Sequence, residues 1–128
     1  MTSPLTITGP DSTAKTILER LRGGLIVSCQ ARPGEPLFGA DRMAAMAAAC
    51  AGGGKGVRVN GVDDVTAVRA VVQVPVIGLW KDGDKGVYIT PTTLEHALAV
   101  AAAGADVVAL DATARPRRDG LTLATTVR

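Results

Sequence analysis

Four short apolar runs, separated by stretches with helical periodicity, constrain the fold of this chain most strongly. The runs are GLIVSCQ at 24–30, GVRVN at 56–60, VIGLW at 76–80 and DVVALD at 106–111. None of them alternates strictly between apolar and polar residues along its length. Strands with this composition are buried on both faces, which is typical of parallel sheets.

Between these runs, apolar residues recur at the spacing of one helix face. The four sets are Ala14, Ile17, Leu18 and Leu21; Met43, Met46, Ala47 and Cys50; Val65, Val68 and Val72; and Leu94, Ala97, Leu98 and Ala101. Helices and strands therefore alternate along the chain, and residues 121–128 begin a further helix. This alternation predicts an α/β fold with right-handed crossovers. It fits both a doubly wound sheet and a (β/α)8 barrel.

The size and charge of the chain exclude several classes of protein. With 128 residues, of which 47% are hydrophobic and 20% charged, it is a globular chain of at most one domain. A net charge of +2 and only one Phe, one Trp and one Tyr argue against nucleic-acid binding, which needs concentrated basic charge and rings that stack on bases.

Cysteine usage and hydropathy indicate where the protein works. Two cysteines, Cys29 and Cys50, do not form a disulfide framework. Residues 1–13 contain no apolar core of a signal peptide, and the uncharged stretch 43–54 is too short to span a bilayer. We therefore expect a cytoplasmic protein without membrane contact. One histidine and two distant cysteines also predict no metal site.

Each predicted strand ends in a polar or charged residue. These residues are Gln30, Arg58 with Asn60, Lys81, and Asp111. In parallel α/β folds the carboxyl ends of the strands form the active face. The pattern therefore predicts one site built from several strand ends.

Arg58 lies between Val57 and Val59 inside a strand. Since side chains alternate between faces, the two valines should pack under the helices while Arg58 points to a barrel mouth or crevice. A guanidinium group there needs an anionic or oxygen-rich partner. The alternative is an ion pair with Asp106 or Asp111 that only fixes the register of the strands.

The other strand-end residues each have a functional and a structural interpretation. Lys81 near Arg58 would have a lowered pKa and could act as a base or an imine-forming amine, or it could simply be solvated at the start of a loop. Asp111 could hold a ligand or make a loop hydrogen bond, and Gln30 could bind a ligand or tether a loop.

Three further expectations concern residues outside this site. Cys29 should pack against the helix layer, and His96 should lie on the surface of its helix. The arginines at 115, 117 and 118 should form a solvated basic loop.

Five ordered blocks of sequence are similar to those of a known enzyme family. They are GLIVSCQA with PGEPL (24–37), GVRVNGVDD (56–64), VPVIGLWK (74–81), VYITPT (87–92) and ADVVALDATARPRRDG (105–120). Together they resemble the bacterial N-acetylmannosamine-6-phosphate 2-epimerases. The resemblance implies a TIM-barrel isomerase of amino-sugar catabolism, including that of sialic acid, that acts without metal or organic cofactor. It also implies that Gln30 and Arg58 bind substrate, that Lys81 is the acid/base residue, and that Asp111 holds the sugar and the lysine.

The length of the chain departs from this family. A (β/α)8 barrel needs roughly 200–250 residues, so residues 1–128 correspond to the N-terminal half of one barrel domain, about four βα units. The family's catalytic glutamate and the usual phosphate loops belong to the second half. We therefore expect impaired activity from this chain alone. Open barrel edges would also favour self-association into a homo-oligomer.

Three functions stay open at this point. The first is interconversion of N-acetylmannosamine 6-phosphate and N-acetylglucosamine 6-phosphate by deprotonation and reprotonation at C2. The second is a Schiff-base aldolase that uses Lys81, and the third is an inactive fragment that binds sugar phosphates.

Overall fold

The computed structural model describes residues 12–82, 90, 93–115, 117 and 119–127. Five helices and four strands alternate along these residues as the apolar pattern predicts. The helices are α1 Ser12–Leu21, α2 Ala40–Cys50, α3 Val62–Arg69, α4 Leu94–Ala102 and α5 Leu123–Thr126, and the strands are β1 Ile26–Cys29, β2 Gly56–Asn60, β3 Val76–Leu79 and β4 Val107–Val108.

The strands form one parallel sheet in the order β1-β2-β3-β4. A doubly wound sheet reverses its strand order at a switch point, whereas successive strands of a (β/α)8 barrel lie side by side in chain order. The strand order therefore decides between the two folds that the sequence left open. The described chain is a half (β/α) barrel. Self-association through its outer strands, β1 and β4, stays a prediction.

The core lies between the sheet and the helices. Val57 and Val59 of β2 are buried there, and the Cys29 thiol of β1 joins them with α2 residues Met43 and Ala47. The expected inward packing of Cys29 is thus confirmed, and burial raises the pKa of its thiol. Alternate positions on the strands are left to face the other side of the sheet.

Helix α4 packs on β3 with a different face from the one predicted. Ala97 and Val100 are its buried residues, while Leu98, expected in the buried stripe, is 58% exposed. The reason is a close approach at Gly78, where an added Cβ would lie 2.5 Å from Val100 Cγ1 and 2.7 Å from the Ala105 Cβ. Because Gly78 has no Cβ, the side of α4 that carries Val100 can lie directly against β3.

Strand β4 is shorter than the apolar run at 106–111. Its pairing with β3 covers Val107 and Val108. Just before it, the Asp106 carboxylate accepts hydrogen bonds from Arg69 Nη1 at 2.7 Å and from the Val76 backbone N–H at 2.9 Å. An ion pair of Asp106 with Arg58, one alternative considered for that arginine, is therefore wrong, because the partner of Asp106 is Arg69.

Over the described ranges, no helix combines the length and apolar character needed to cross a membrane.

Candidate active site

Three of the four predicted site residues meet at the carboxyl ends of the strands. Gln30, Arg58 and Lys81 line one cavity of about 470 Å³, although each follows or belongs to a different strand. The remaining lining residues are Ser28, Ala31, Arg32, Glu35 and Asn60. The convergence expected from the strand-end pattern is therefore present for these three residues.

Strand alternation explains how two of these side chains reach the cavity. Arg58 and Asn60 are two residues apart and share a face, while the intervening Val59 is buried under the helices. The expected direction of Arg58 is thus confirmed. The Gln30 amide donates a hydrogen bond to Ser28 Oγ at 2.8 Å, so it is held along its own strand rather than to a distant loop.

Lys81 is half-buried at the end of β3. Its backbone N–H donates a hydrogen bond to Asn60 Oδ1 at 2.8 Å, which ties the segment after β3 to the end of β2. Burial, and then the positive charges of Arg58 and Arg32, lower the pKa of the Lys81 amine. The direction of the pKa shift agrees with the one expected from the sequence.

Arg32 and Glu35 are cavity residues that the sequence analysis missed. Both lie in the loop between β1 and α2, and the Arg32 backbone N–H donates a hydrogen bond to Glu35 Oε2 at 2.7 Å. A loop has no side-chain period, so alternation could not place them. Asn60 was noticed beside Arg58 but given no role, although its spacing of two residues already placed both on one face.

Asp111 lies beyond the end of β4, and its side chain is held within its own loop. Its Oδ1 accepts a hydrogen bond from the Thr113 backbone N–H at 2.7 Å, and the bonds with Thr113 lower the pKa of the carboxyl group. The loop hydrogen bond considered as an alternative is thus present. Asp111 is absent from the described lining of the Lys81 cavity. Pairing ends at Val108, so strand alternation no longer dictates where residue 111 points.

The basic segment after Asp111 is not uniformly solvated. Arg115 is exposed, but Arg117 is buried and its guanidinium donates a hydrogen bond to the Asp111 carbonyl. The expectation of a solvated loop is therefore wrong for Arg117, because this bond draws it inward. Arg118 lies outside the described residues.

A second cavity of about 530 Å³ adjoins the first and shares Ala31, Arg32, Asn60 and Lys81 with it. Its outer wall contains Phe38, Asp63, Asp64 and Trp80. Burial, and then the neighbouring Asp63, raise the pKa of Asp64. Small-ligand sites commonly occupy about 300–1,000 Å³, so either cavity could hold a sugar-sized molecule. Within the described residues, no three His, Cys, Asp or Glu side chains are grouped to hold a metal ion.

His96 is not the surface residue that the sequence suggested. It is half-buried, with its ring centroid 4.0 Å from that of Trp80 and its Nε2 3.5 Å from Asp82 Oδ2. Its Nδ1 lies 2.6 Å from the hydroxyl of Thr93, which also caps α4 by accepting from the His96 backbone N–H. The contacts with Trp80 and Asp82 come from the segment after β3, which helical periodicity does not describe.

Comparison with known proteins places this half barrel in a family. The family model described as "Putative N-acetylmannosamine-6-phosphate epimerase" matches residues 43–128. A relative from Cutibacterium acnes, named "Putative N-acetylmannosamine-6-phosphate 2-epimerase", is 61% identical over 112 residues, which are 87% of this chain and 48% of the relative. A relative of the same name from Synechococcus elongatus is 53% identical over 107 residues, covering 80% of this chain and 46% of its own length.

The fold has a solved counterpart. The structure of the N-acetylmannosamine-6-phosphate 2-epimerase from Clostridium perfringens matches with a TM-score of 0.79 and 33% sequence identity, over 87% of this chain and 49% of that one. The chain thus spans about half the length of the curated relatives it matches. The strand order, the strand-end cavity and these matches agree, and the chain belongs to the N-acetylmannosamine-6-phosphate epimerase family.

Proposed function

We propose that the cavity lined by Gln30, Arg58 and Lys81 binds an amino-sugar phosphate. There the chain takes part in interconverting N-acetylmannosamine 6-phosphate and N-acetylglucosamine 6-phosphate. The observation that carries the proposal is one cavity holding a half-buried amine of lowered pKa beside a guanidinium group. Family membership supports the choice of substrate.

The chemistry follows from the acidity of C2 in the open-chain sugar. Neutral Lys81 Nζ takes the C2 proton, and the electrons of the C–H bond form the C1=C2 bond of a 2-acetamido enolate whose negative charge develops on O1. The Arg58 guanidinium stabilises that oxyanion. Return of a proton to the opposite face of C2 inverts the centre. A lowered pKa serves this step because it increases the fraction of neutral amine near neutral pH.

The other two predicted residues have supporting roles in this proposal. Gln30 offers an amide to the acetamido group or a hydroxyl of the sugar, since its side chain already lies on the cavity wall. Asp111, whose lowered pKa keeps it ionised, contacts sugar hydroxyls or the lysine once substrate is bound. We assign binding to Gln30 and Arg58, and catalysis to Lys81 with Asp111.

We also propose that residues 1–128 form the N-terminal half of a single (β/α)8 domain. Four parallel strands in chain order, and the match to 49% of the solved epimerase, support this assignment. A cytoplasmic location belongs to the same proposal, and the free thiols of Cys29 and Cys50 support it.

Hydrogen exchange at C2 tests the proposed step directly. The chain is incubated with N-acetylmannosamine 6-phosphate in D₂O, and loss of the C2 proton is followed by NMR. Exchange requires proton removal by Lys81 but not inversion, so it reports on this cavity by itself. We expect exchange with the unsubstituted chain and with Lys15→Met, which removes an exposed lysine on α1, but not with Lys81→Met. Equal exchange in all three would contradict the proposal. Calorimetric binding without exchange would favour a chain that only binds sugar phosphates.

The lowered pKa of Lys81 also suits a Schiff-base aldolase, so this second candidate is tested separately. An imine would form between Nζ and a substrate carbonyl with loss of water, and borohydride would reduce it to a stable secondary amine. Mass spectrometry after reduction with the sugar phosphate would show an adduct on Lys81 if the aldolase is correct. We expect no adduct.

A further inference from the structure

Both chain neighbours of Lys81 contact the same imidazole ring. The Trp80 and His96 ring centroids are 4.0 Å apart with an interplanar angle of 56°, and Asp82 Oδ2 lies 3.5 Å from His96 Nε2. Lys81 stands between these two residues and lines the cavity. The contacts on either side of the lysine therefore converge on one residue of α4.

The contacts give this arrangement a direction. Trp80 and Asp82 both contact His96 on the side of α4. Lys81 between them lines the cavity with Arg58. Trp80 also packs against the core between the sheet and the helices. A residue that holds Trp80 and Asp82 from the helix side therefore sets the direction in which Lys81 enters the cavity.

His96 is itself held firmly enough to act in this way. Its Nδ1 lies 2.6 Å from Thr93 Oγ1, and the same hydroxyl accepts the His96 backbone N–H at 3.1 Å. The first turn of α4 is also bonded at Leu94, whose backbone N–H donates to Asp119 Oδ2 at 2.9 Å. The ring is thus fixed at its Nδ1 edge and presents its face and Nε2 to the segment around Lys81.

We infer that His96 is a positioning residue for Lys81, acting through Trp80 and Asp82 to hold the amine inside the cavity beside Arg58. The importance of this role rests on the function proposed above for Lys81. Without the imidazole, residues 80–82 keep the Asn60 hydrogen bond to the Lys81 backbone but lose the contacts that His96 makes with Trp80 and Asp82. The amine then spends more time in water and farther from Arg58 and Arg32.

The test measures the Lys81 pKa by NMR titration of the chain labelled with ¹³C at lysine Cε, with Lys81→Arg used to assign the signal. His96→Leu keeps an apolar side chain against Trp80 but cannot bond to Thr93 or reach Asp82 with a polar atom. In His96→Gln the side-chain amide nitrogen can take the place of Nε2 near Asp82. Leu98→Ala is the matched control, because Leu98 is 58% exposed on the same helix.

We expect the Lys81 pKa to rise toward the ordinary lysine range in His96→Leu, to stay lowered in Leu98→Ala, and to be largely restored in His96→Gln. A loss of stability alone would not move the pKa of a lysine in the folded chain, and circular dichroism verifies that each variant is folded. An unchanged pKa in both His96 variants would overturn the inference. So would an equal rise in Leu98→Ala. If His96→Leu does not fold, His96→Ala takes its place, because it removes the same contacts with Trp80 and Asp82, and an unchanged Lys81 pKa in His96→Ala overturns the inference.

The same titration separates this inference from the proposed function. An ordinary Lys81 pKa in the unsubstituted chain would contradict the role proposed for Lys81. A lowered pKa that does not depend on His96 would contradict the positioning role alone.

Discussion

Arg58 of β2 and Lys81, which follows β3, line one cavity although 22 residues separate them in the chain. Neighbouring parallel strands end at the same edge of the sheet. Burial, and then the guanidinium across that edge, lower the pKa of the lysine. Two cations so placed repel each other. The arrangement therefore favours either an anionic ligand between them or a neutral amine.

Removing the Arg58 charge should raise the pKa of Lys81. Arg58→Gln keeps a polar side chain in the cavity but deletes the second-largest cause of the lowered pKa, leaving burial and Arg32. NMR titration of the lysine Cε signal measures the change. Arg22→Gln, an equal change of charge on an exposed residue after α1, should leave Lys81 unaffected. A Lys81 pKa that falls or stays constant in Arg58→Gln would show that the two groups do not interact.

Lys81→Met should stabilise the fold, and the gain should depend on pH. The pKa of Lys81 is lower in the folded than in the unfolded chain, so the unfolded chain binds the proton more tightly. At pH values below the folded pKa, the protonated amine lowers the free energy of unfolding by its full amount. This destabilisation disappears as the pH rises through the interval between the folded and the unfolded pKa.

Melting temperatures of both proteins, measured from neutral to alkaline pH, check this prediction. The difference in Tm between Lys81→Met and the unsubstituted chain should be positive near pH 7 and should shrink toward alkaline pH. Lys15→Met provides the control, since Lys15 is exposed and its removal should give no such trend. A difference in Tm that grows with pH would contradict a Lys81 pKa that is lower in the folded than in the unfolded chain.

Asp106→Ala should destabilise the fold by about 1–3 kcal/mol, the cost of leaving partly buried donors without their acceptor. The carboxylate accepts bonds from Arg69 and from the Val76 N–H, and both members of the ion pair are only 28% exposed. Urea unfolding gives the free energy. Glu19→Ala, which removes the same charge from an exposed position on α1, should change it little. Comparable losses in both variants would mean that the Asp106 bonds contribute nothing specific.

Gly78→Ala should cost about 1–3 kcal/mol, since the new methyl group overpacks the contact between β3 and α4. Its Cβ would lie 2.5 Å from Val100 Cγ1. A Cβ added at Gly53 has no atom within 4 Å. Gly53→Ala should therefore leave the free energy of unfolding unchanged or raise it by about 0.4–1 kcal/mol. Urea unfolding of the pair measures both values. A Gly78→Ala variant as stable as Gly53→Ala would show that α4 can withdraw without loss.

Local patterns in the sequence predicted most elements of the fold. Short apolar runs located β1 to β3, and helical spacing located α1 to α4, because each kind of backbone sets which neighbouring residues can pack on the core. Strand alternation also predicted that Arg58 turns away from Val57 and Val59. These predictions concern neighbours in sequence, so a single chain contains the information they need.

Burial on both faces was predicted for the strands and is wrong for β1, where Ile26 is 40% exposed. The solvated loop was wrong for Arg117, which bonds to the carbonyl of Asp111 six residues away.

Two further failures concern contacts between distant segments. Leu98 was expected in the core, but the position of Gly78 on β3 decides which side of α4 is buried. His96 was expected on the surface, but Trp80 and Asp82 approach it from the segment after β3. The helical periodicity of α4 contains no information about which side chains of other elements contact that helix.

The sequence by itself determined the alternation of helices and strands and the set of polar residues at the strand ends. The tertiary structure alone decided that the strands lie in chain order and that Gln30, Arg58 and Lys81 share a cavity while Asp111 bonds within its own loop. It also decided that His96 contacts Trp80 and Asp82. The physical reason is range: periodicity reflects the repeat of a local backbone conformation, whereas strand order and side-chain partnership depend on which distant segments pack together.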